Sequence, residues 1–293
     1  MKLPFPQTPR QALRVVAAFV TVLVIVLLGA FRGSEPARPT YDHYVAMGDS
    51  YTAAPFVPLT DIARGCLRSS NNYPHLVAAA LHIGDLRDRS CSGARTKHLP
   101  GSQRTARGLM VPPQFVALNE DTDLVTVGIG ANNYRLYAQI ATVCRRTTGI
   151  CPLYDERERL GYIVDQLRSA LVPTLEQIQQ LAPKARVLLV GYPKLLPARG
   201  DCARLPRMRP QDRNTFRSIN LRLREEMRES AEAADVEFVD FYTTSVGHDI
   251  CSRHPWVQGR VGSTRHGAAL HPLPAGQAAL ARQIEEALRK EPS

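Results

Sequence analysis

Apolar and polar residues alternate along most of the chain in short runs that are typical of a mixed α/β protein. Four apolar runs predict buried strands at Tyr44–Met47, Leu124–Ile129, Arg186–Val190 and Val236–Phe241. Apolar residues spaced three and four apart predict helices at Asn72–His82, Leu160–Leu181, Arg213–Ala234 and Pro274–Leu288. Because strands and helices alternate, we expect a three-layer α/β/α sandwich around a central parallel sheet.

The N-terminal pattern is different and predicts a membrane segment. Val15–Phe31 is apolar except for Thr21, and it follows the basic segment 1–14. The run is longer than a signal-peptide core of about 7–15 residues and close to the lower limit of about 17 for a membrane span. No clean cleavage site follows it. We therefore favour a transmembrane anchor or uncleaved signal at 15–31 over a cleaved signal. A linker at 32–40 and an exported domain at 41–293 would follow.

Six cysteines agree with export into an oxidising compartment. They are Cys66, Cys91, Cys144, Cys151, Cys202 and Cys251. None forms a CxxC pair, which disfavours zinc, and three disulfides among six cysteines allow fifteen connectivities. We predict the sequential pairing 66–91, 144–151 and 202–251.

The amino-acid composition adds one further observation, a strongly positive net charge. The hydrophobic content of 44% suffices for a packed core, and 37 Lys+Arg against 27 Asp+Glu give a net charge of +10. Such a surface attracts anionic partners, and an anionic membrane surface is one candidate. No motif typical of nucleic-acid binding is present, so we expect no nucleic-acid partner. The simpler interpretation is that the protein has a basic surface without any anionic partner.

Gly48-Asp49-Ser50 follows the first predicted strand, at the end of the sheet where α/β proteins bind ligands. Taken alone, Ser50 is more typical of a helix N-cap. A nucleophilic serine also needs a base that takes its proton and donors that hold an oxyanion. The GxSxG turn of the α/β-hydrolases is absent from the sequence.

Three later segments carry groups of the required kinds, each with a structural alternative. Gly93, beside Cys91, could present a backbone N–H or only make a turn. Asn132, in GIGANN after the second strand, could donate through its amide or only cap a helix. His271, before the last predicted helix, could accept a proton or be structural.

In chain order these segments read GDSY, SCSGA, GIGANN and LHPLPAG, a set that resembles the SGNH hydrolases, the GDSL-type lipases and esterases. The resemblance extends from about Tyr41 to the C-terminus. Gly247–Cys251 and Pro255–Val257 resemble the corresponding segment of exported actinobacterial members with three disulfides. The resemblance implies an SGNH/flavodoxin-like hydrolase fold and a carboxylic ester hydrolase of the lipase, phospholipase or carboxylesterase type.

The resemblance also implies site roles. Ser50 would be the nucleophile and His271 its base, while Ser50, Gly93 and Asn132 would form the oxyanion hole. Asp49 would hold the turn. No metal or organic cofactor is implied, and the neighbouring histidines lack a zinc-binding spacing; we interpret His254 and His266 as surface residues.

Two positions depart from the family pattern. Ala268 stands where many members have an acid that orients the histidine. We expect a backbone carbonyl, that of Ala268, or else Asp249 folded back, to take over. Asn133 stands where an aspartate is usual, which removes a charge near the oxyanion hole and leaves the implied reaction class unchanged.

The resemblance implies a class of substrate. We expect an acyl-ester or lipid substrate, a monomer, and chain-length preference set by the loops Ala53–Ser70 and Lys97–Pro113. Acyl transfer to cell-envelope components and a non-catalytic binding protein of the same fold are the alternatives.

Overall fold

Five parallel strands form the central sheet of this computed structural model, which describes residues 40–145 and 150–290. The strands are β1 (His43–Gly48), β4 (Asp85–Asp88), β7 (Leu124–Gly128), β8 (Arg186–Val190) and β9 (Glu237–Val239). Their order across the sheet is β4-β1-β7-β8-β9. Two small antiparallel hairpins lie outside the sheet. They pair β2 (Thr60–Asp61) with β3 (Arg68–Ser69) and β5 (Gln103–Arg104) with β6 (Met110–Val111).

Helices cover both faces of the sheet. They are α1 (Ser50–Ala53), α2 (Tyr73–Ala80), α3 (Leu136–Arg145), α4 (Arg157–Asp165), α5 (Leu167–Leu181), α6 (Pro210–Ala233), α7 (Phe241–Thr244) and α8 (Pro274–Leu288). Short 3₁₀ turns occur at Thr96–His98, Gln114–Ala117, Asn133–Arg135 and Leu153–Glu156.

Alternation along the strands divides the core into two layers. Val45 and Met47 of β1 point to the face covered by α4, α5 and α6, whereas Tyr44 and Ala46 point to the face covered by α2 and α8. Successive strand residues face opposite sides, so a strand buried on both faces is apolar throughout. The predicted three-layer α/β/α sandwich is confirmed.

One helix prediction needs correction, and one strand of the sheet was not predicted. The single helix predicted over Leu160–Leu181 is two helices that meet at Gln166, where the Ser169 hydroxyl donates to the Gln166 carbonyl. The edge strand β4 was not predicted because its charged residues give no apolar pattern. Its Arg87 pairs with Asp85 at 2.8 Å, as suits an edge that faces solvent.

Disulfides join Cys66 to Cys91 and Cys202 to Cys251, which confirms two of the predicted pairs. Cys151 is also disulfide-bonded, while the side chain of Cys144 lies outside the described residues. The predicted anchor at 15–31 lies outside them as well. Within residues 40–145 and 150–290 no helix is both long and apolar enough to cross a membrane.

Candidate active site

Ser50 lies directly beyond the carboxyl end of β1, at the first position of α1. Gly48 makes this turn possible, because a Cβ there would lie 2.3 Å from Thr52 Oγ1 and 2.5 Å from the Gly128 carbonyl oxygen. The helix cap is Asp49, whose carboxylate accepts from the Tyr51 N–H at 2.9 Å. The Ser50 hydroxyl is therefore not engaged in capping the helix.

The Ser50 hydroxyl hydrogen bonds to His271, with 2.7 Å between Oγ and Nε2. The other ring nitrogen, Nδ1, lies 2.7 Å from the Ala269 carbonyl oxygen. A carbonyl can only accept, so Nδ1 carries the proton and Nε2 presents a lone pair to the serine. This pair has the geometry of a nucleophile with its base.

A backbone carbonyl orients His271, but it is that of Ala269, and neither Ala268 nor Asp249 has this role. The Ala268 carbonyl accepts from the backbone N–H of His271 at 3.1 Å. Asp249 accepts from the Cys251 N–H at 2.8 Å and forms no described hydrogen bond to the imidazole. The Ala269 carbonyl reaches Nδ1 because Leu270 adopts a left-handed conformation, with φ of 63°. The Leu270 carbonyl accepts a hydrogen bond from the Tyr51 hydroxyl at 2.6 Å, which holds this conformation.

Asn132 lies beyond the end of β7 and joins the segments that carry Ser50 and Gly93. Its amide nitrogen donates to Asp49 Oδ2 at 3.3 Å and to the Ala94 carbonyl at 3.1 Å. Gly93 has φ of 80°, a conformation that favours glycine. The donors predicted from the sequence therefore lie on segments that contact one another.

Asn133 connects the loop that follows Gly93 to the loop that carries Asn132. Its side-chain oxygen accepts from the Thr96 N–H at 3.0 Å, and its amide nitrogen donates to the Thr96 hydroxyl at 2.9 Å. The side chain is buried. At this position, therefore, a neutral asparagine rather than an aspartate forms two hydrogen bonds with Thr96. These bonds connect the loop that follows Gly93 to the loop that carries Asn132.

Comparisons with known proteins show the family of the chain. The sequence profile of the GDSL-like lipase/acylhydrolase family matches residues 46–279. The chain belongs to the GDSL-like lipase/acylhydrolase family. It is 35% identical to Lipase 2 of Streptomyces coelicolor over 263 residues, which cover 83% of this chain and 86% of that one. The predicted family and the prediction of a carboxylic ester hydrolase are confirmed.

Solved structures show the same fold. Phospholipase A1 from Streptomyces albidoflavus NA297 matches with a TM-score of 0.72 and 25% identity, covering 84% of this chain and 99% of that one. The extracellular lipase from Streptomyces rimosus also has a TM-score of 0.72, with 27% identity and the same coverages.

Two side chains that support the site of this hydrolase were not predicted. Gln114 clamps the backbone of Gly48, accepting from its N–H at 2.8 Å and donating to its carbonyl at 3.0 Å. Tyr192, beyond the end of β8, donates to Asp49 Oδ2 at 2.6 Å and accepts from the Ala131 N–H at 3.0 Å. The position of Gly191-Tyr192-Pro193 after a predicted strand was the available signal.

Burial governs the titration of the two ionisable groups nearest Ser50. It raises the pKa of Asp49 to about 7, against the hydrogen bonds from Tyr192 and from the Tyr51 N–H, which lower it. It lowers the pKa of His271 below the usual 6.5, against the hydrogen bond to Ala269. A lowered pKa keeps the imidazole of the hydrolase neutral near pH 7, so that it can accept a proton.

Tyr192→Phe tests whether Tyr192 positions the site. The change removes the donor to Asp49 and the acceptor for the Ala131 N–H. We expect kcat on a soluble ester to fall about ten- to a hundredfold while KM stays within about twofold, since a hydrogen bond to a charged group contributes about 1.5–3 kcal/mol. The control is Tyr162→Phe, at a side chain that is 64% exposed. Loss of thermal stability with unchanged kcat would mean that Tyr192 is only structural.

Proposed function

We propose that this hydrolase cleaves acyl esters through an acyl-enzyme on Ser50, with His271 as the general base. The observation that carries the proposal is the 2.7 Å contact between Ser50 Oγ and His271 Nε2. This contact favours catalysis over a binding protein that keeps only the fold, because nucleophile and base are already within hydrogen-bonding reach.

In the first half of the reaction, Ser50 Oγ bonds to the acyl carbon as its proton passes to His271 Nε2. The imidazolium then donates through Nδ1 to the Ala269 carbonyl, the partner seen at 2.7 Å. When the tetrahedral intermediate collapses, His271 returns the proton to the leaving alcohol and the acyl group stays on Ser50. Water repeats the sequence, which releases the acid and restores the serine.

Three donors are proposed to hold the oxyanion: the backbone N–H groups of Ser50 and Gly93, and the Asn132 side chain. Ser50 is the first residue of α1, and N–H groups in the first turn of a helix have no partner within it. In this structure the Asn132 amide donates both of its N–H groups, to Asp49 Oδ2 at 3.3 Å and to the Ala94 carbonyl at 3.1 Å. Donation to the oxyanion therefore requires that one of these hydrogen bonds be exchanged, and the longer contact to Asp49 is the weaker of the two.

Lipid esters are the proposed substrate class. The solved relative from Streptomyces albidoflavus is a phospholipase A1, and Lipase 2 of Streptomyces coelicolor is named a lipase. We further propose that the protein acts outside the cytoplasm as a monomer. Its disulfides Cys66–Cys91 and Cys202–Cys251 support an oxidising compartment. We also propose that residues 15–31 stay attached to the domain as a membrane anchor or uncleaved signal.

Ser50→Ala tests the proposal directly. The variant lacks the attacking oxygen, so hydrolysis of a short p-nitrophenyl ester should fall by about 10⁴-fold or more. Ser169→Ala, a serine on α5 whose hydroxyl contacts only the Gln166 carbonyl among the described hydrogen bonds, is the control and should keep its activity. Equal activity of wild type and Ser50→Ala would refute the proposal.

The pH dependence tests how His271 is held. Only the neutral imidazole can take the serine proton, so kcat/KM should fall on acidification with an apparent pKa below 6.5, the direction in which burial shifts it. Asp49→Asn removes the carboxyl whose pKa is about 7, so the acidic limb that remains in the pH profile of kcat/KM belongs to His271. An apparent pKa above 7 for this limb would contradict the account, because it would indicate that a carboxylate orients His271.

A further inference from the structure

The two hairpins outside the sheet form an exposed apolar surface. Ile62 follows β2 and is 54% exposed, and Met110 begins β6 and is 57% exposed. Leu59 and Leu109 beside them are also exposed, at 76% and 44%. Together with Arg104 and Arg107, these residues are called the hairpin surface below. A cluster of large exposed apolar side chains is typical of a surface that contacts another apolar phase.

The two hairpins contact each other, so the hairpin surface is continuous. The Arg107 guanidinium donates to the Ile62 carbonyl at 2.8 Å. A Cβ built on Gly65 would lie 3.1 Å from Leu109 Cδ1 and 2.9 Å from Thr105 Oγ1. The tip is tight, because the Leu109 carbonyl accepts from the Thr105 N–H at 2.8 Å.

The inner side of the hairpins connects to the proposed oxyanion hole. Gln103, buried and paired with Val111 in the β5–β6 register, donates from its amide nitrogen to the Ser92 carbonyl at 2.9 Å. Ser92 precedes Gly93, and its N–H donates to the Cys66 carbonyl of the first hairpin at 3.0 Å. The hairpin surface is thus attached directly to the segment that carries Gly93.

The outer side carries positive charge together with the apolar groups. Arg104 is the cross-strand partner of Met110, so both side chains lie on the same exposed face. In their described hydrogen bonds, Arg104 donates to the Gly108 carbonyl and Arg107 to the Ile62 carbonyl, not to carboxylates. Asp61 is the only acid within 58–70 and 101–113, and it pairs with Arg64 at 3.4 Å.

We propose that the hairpin surface docks the hydrolase on an anionic lipid bilayer. Apolar side chains would enter the headgroup region while the arginine heads stay at the phosphates, and the overall charge of +10 favours such a surface. Docking there places the Gly93 side of the site at the membrane, where lipid esters reside. The inference rests on the proposed function, since it assigns a lipid surface as the source of the substrate.

One test measures docking without turnover. Full-length Ser50→Ala is mixed with phosphatidylglycerol vesicles, and amide hydrogen exchange is read peptide by peptide. Peptides covering 58–66 and 103–111 should be protected by phosphatidylglycerol, less by phosphatidylcholine, and less again at about 0.5 M salt, where the screening length falls to a few ångströms. Protection confined to these two regions identifies the hairpins as the contact, because membrane binding through residues 1–39 alone gives no reason for protection there rather than elsewhere on the domain.

A second test measures the effect of docking on the hydrolysis of a lipid in vesicles. Ile62→Asp/Met110→Asp should lower hydrolysis of vesicular phosphatidylglycerol relative to a soluble p-nitrophenyl ester by about fivefold or more. Tyr162→Asp/Val246→Asp makes the same charge change at side chains that are 64% and 55% exposed on other parts of the surface. It should change the ratio by less than about twofold, because these side chains lie outside the hairpin surface.

Unprotected hairpins, or an equal loss in both double variants, would overturn the docking proposal. If wild type cleaves neither substrate, the proposed function fails instead. Hydrogen exchange in Ser50→Ala then still decides whether the surface binds lipid, because that measurement needs no catalysis.

Discussion

The geometry around Ser50 depends on the buried carboxylate of Asp49. It accepts hydrogen bonds from the Tyr51 N–H, the Asn132 amide and the Tyr192 hydroxyl, which come from the ends of three neighbouring strands of the sheet. A buried carboxylate is costly unless such donors surround it, so this one group holds the nucleophile turn and the Asn132 loop in one arrangement. The raised pKa of Asp49 shows that burial remains the larger effect.

The arrangement of His271 follows from a different constraint. Where many relatives would place an acid, this chain has Ala268, and the backbone turns at Leu270 so that the Ala269 carbonyl meets Nδ1. A carbonyl fixes the tautomer and orientation of the imidazole but supplies less stabilisation to an imidazolium than a carboxylate does. The proposed mechanism therefore relies more on stabilisation by the oxyanion donors.

The sequence predicts those parts of the molecule that have a local pattern. β8 and α8 match their predicted bounds, because apolar periodicity reflects burial directly. The segments of Ser50, Gly93, Asn132 and His271 could be found because together, in chain order, they resemble the motif set of the SGNH hydrolases. Tyr192 and Gln114 act through partners distant in sequence, which no periodicity reveals. The Ala269 carbonyl is only two residues from His271, but it reaches the imidazole through the left-handed backbone of Leu270, which the sequence does not show. β4 was missed because an edge strand can be polar.

The central claim is that these separate segments form one ester-cleaving site on Ser50. Labelling of the intact protein with a fluorophosphonate, followed by peptide mass mapping, tests it most directly, since the reagent reacts with serines activated by a base. The account predicts one phosphonyl group on Ser50, and loss of labelling in His271→Ala. An active enzyme labelled at another residue, or not labelled at all, would contradict it.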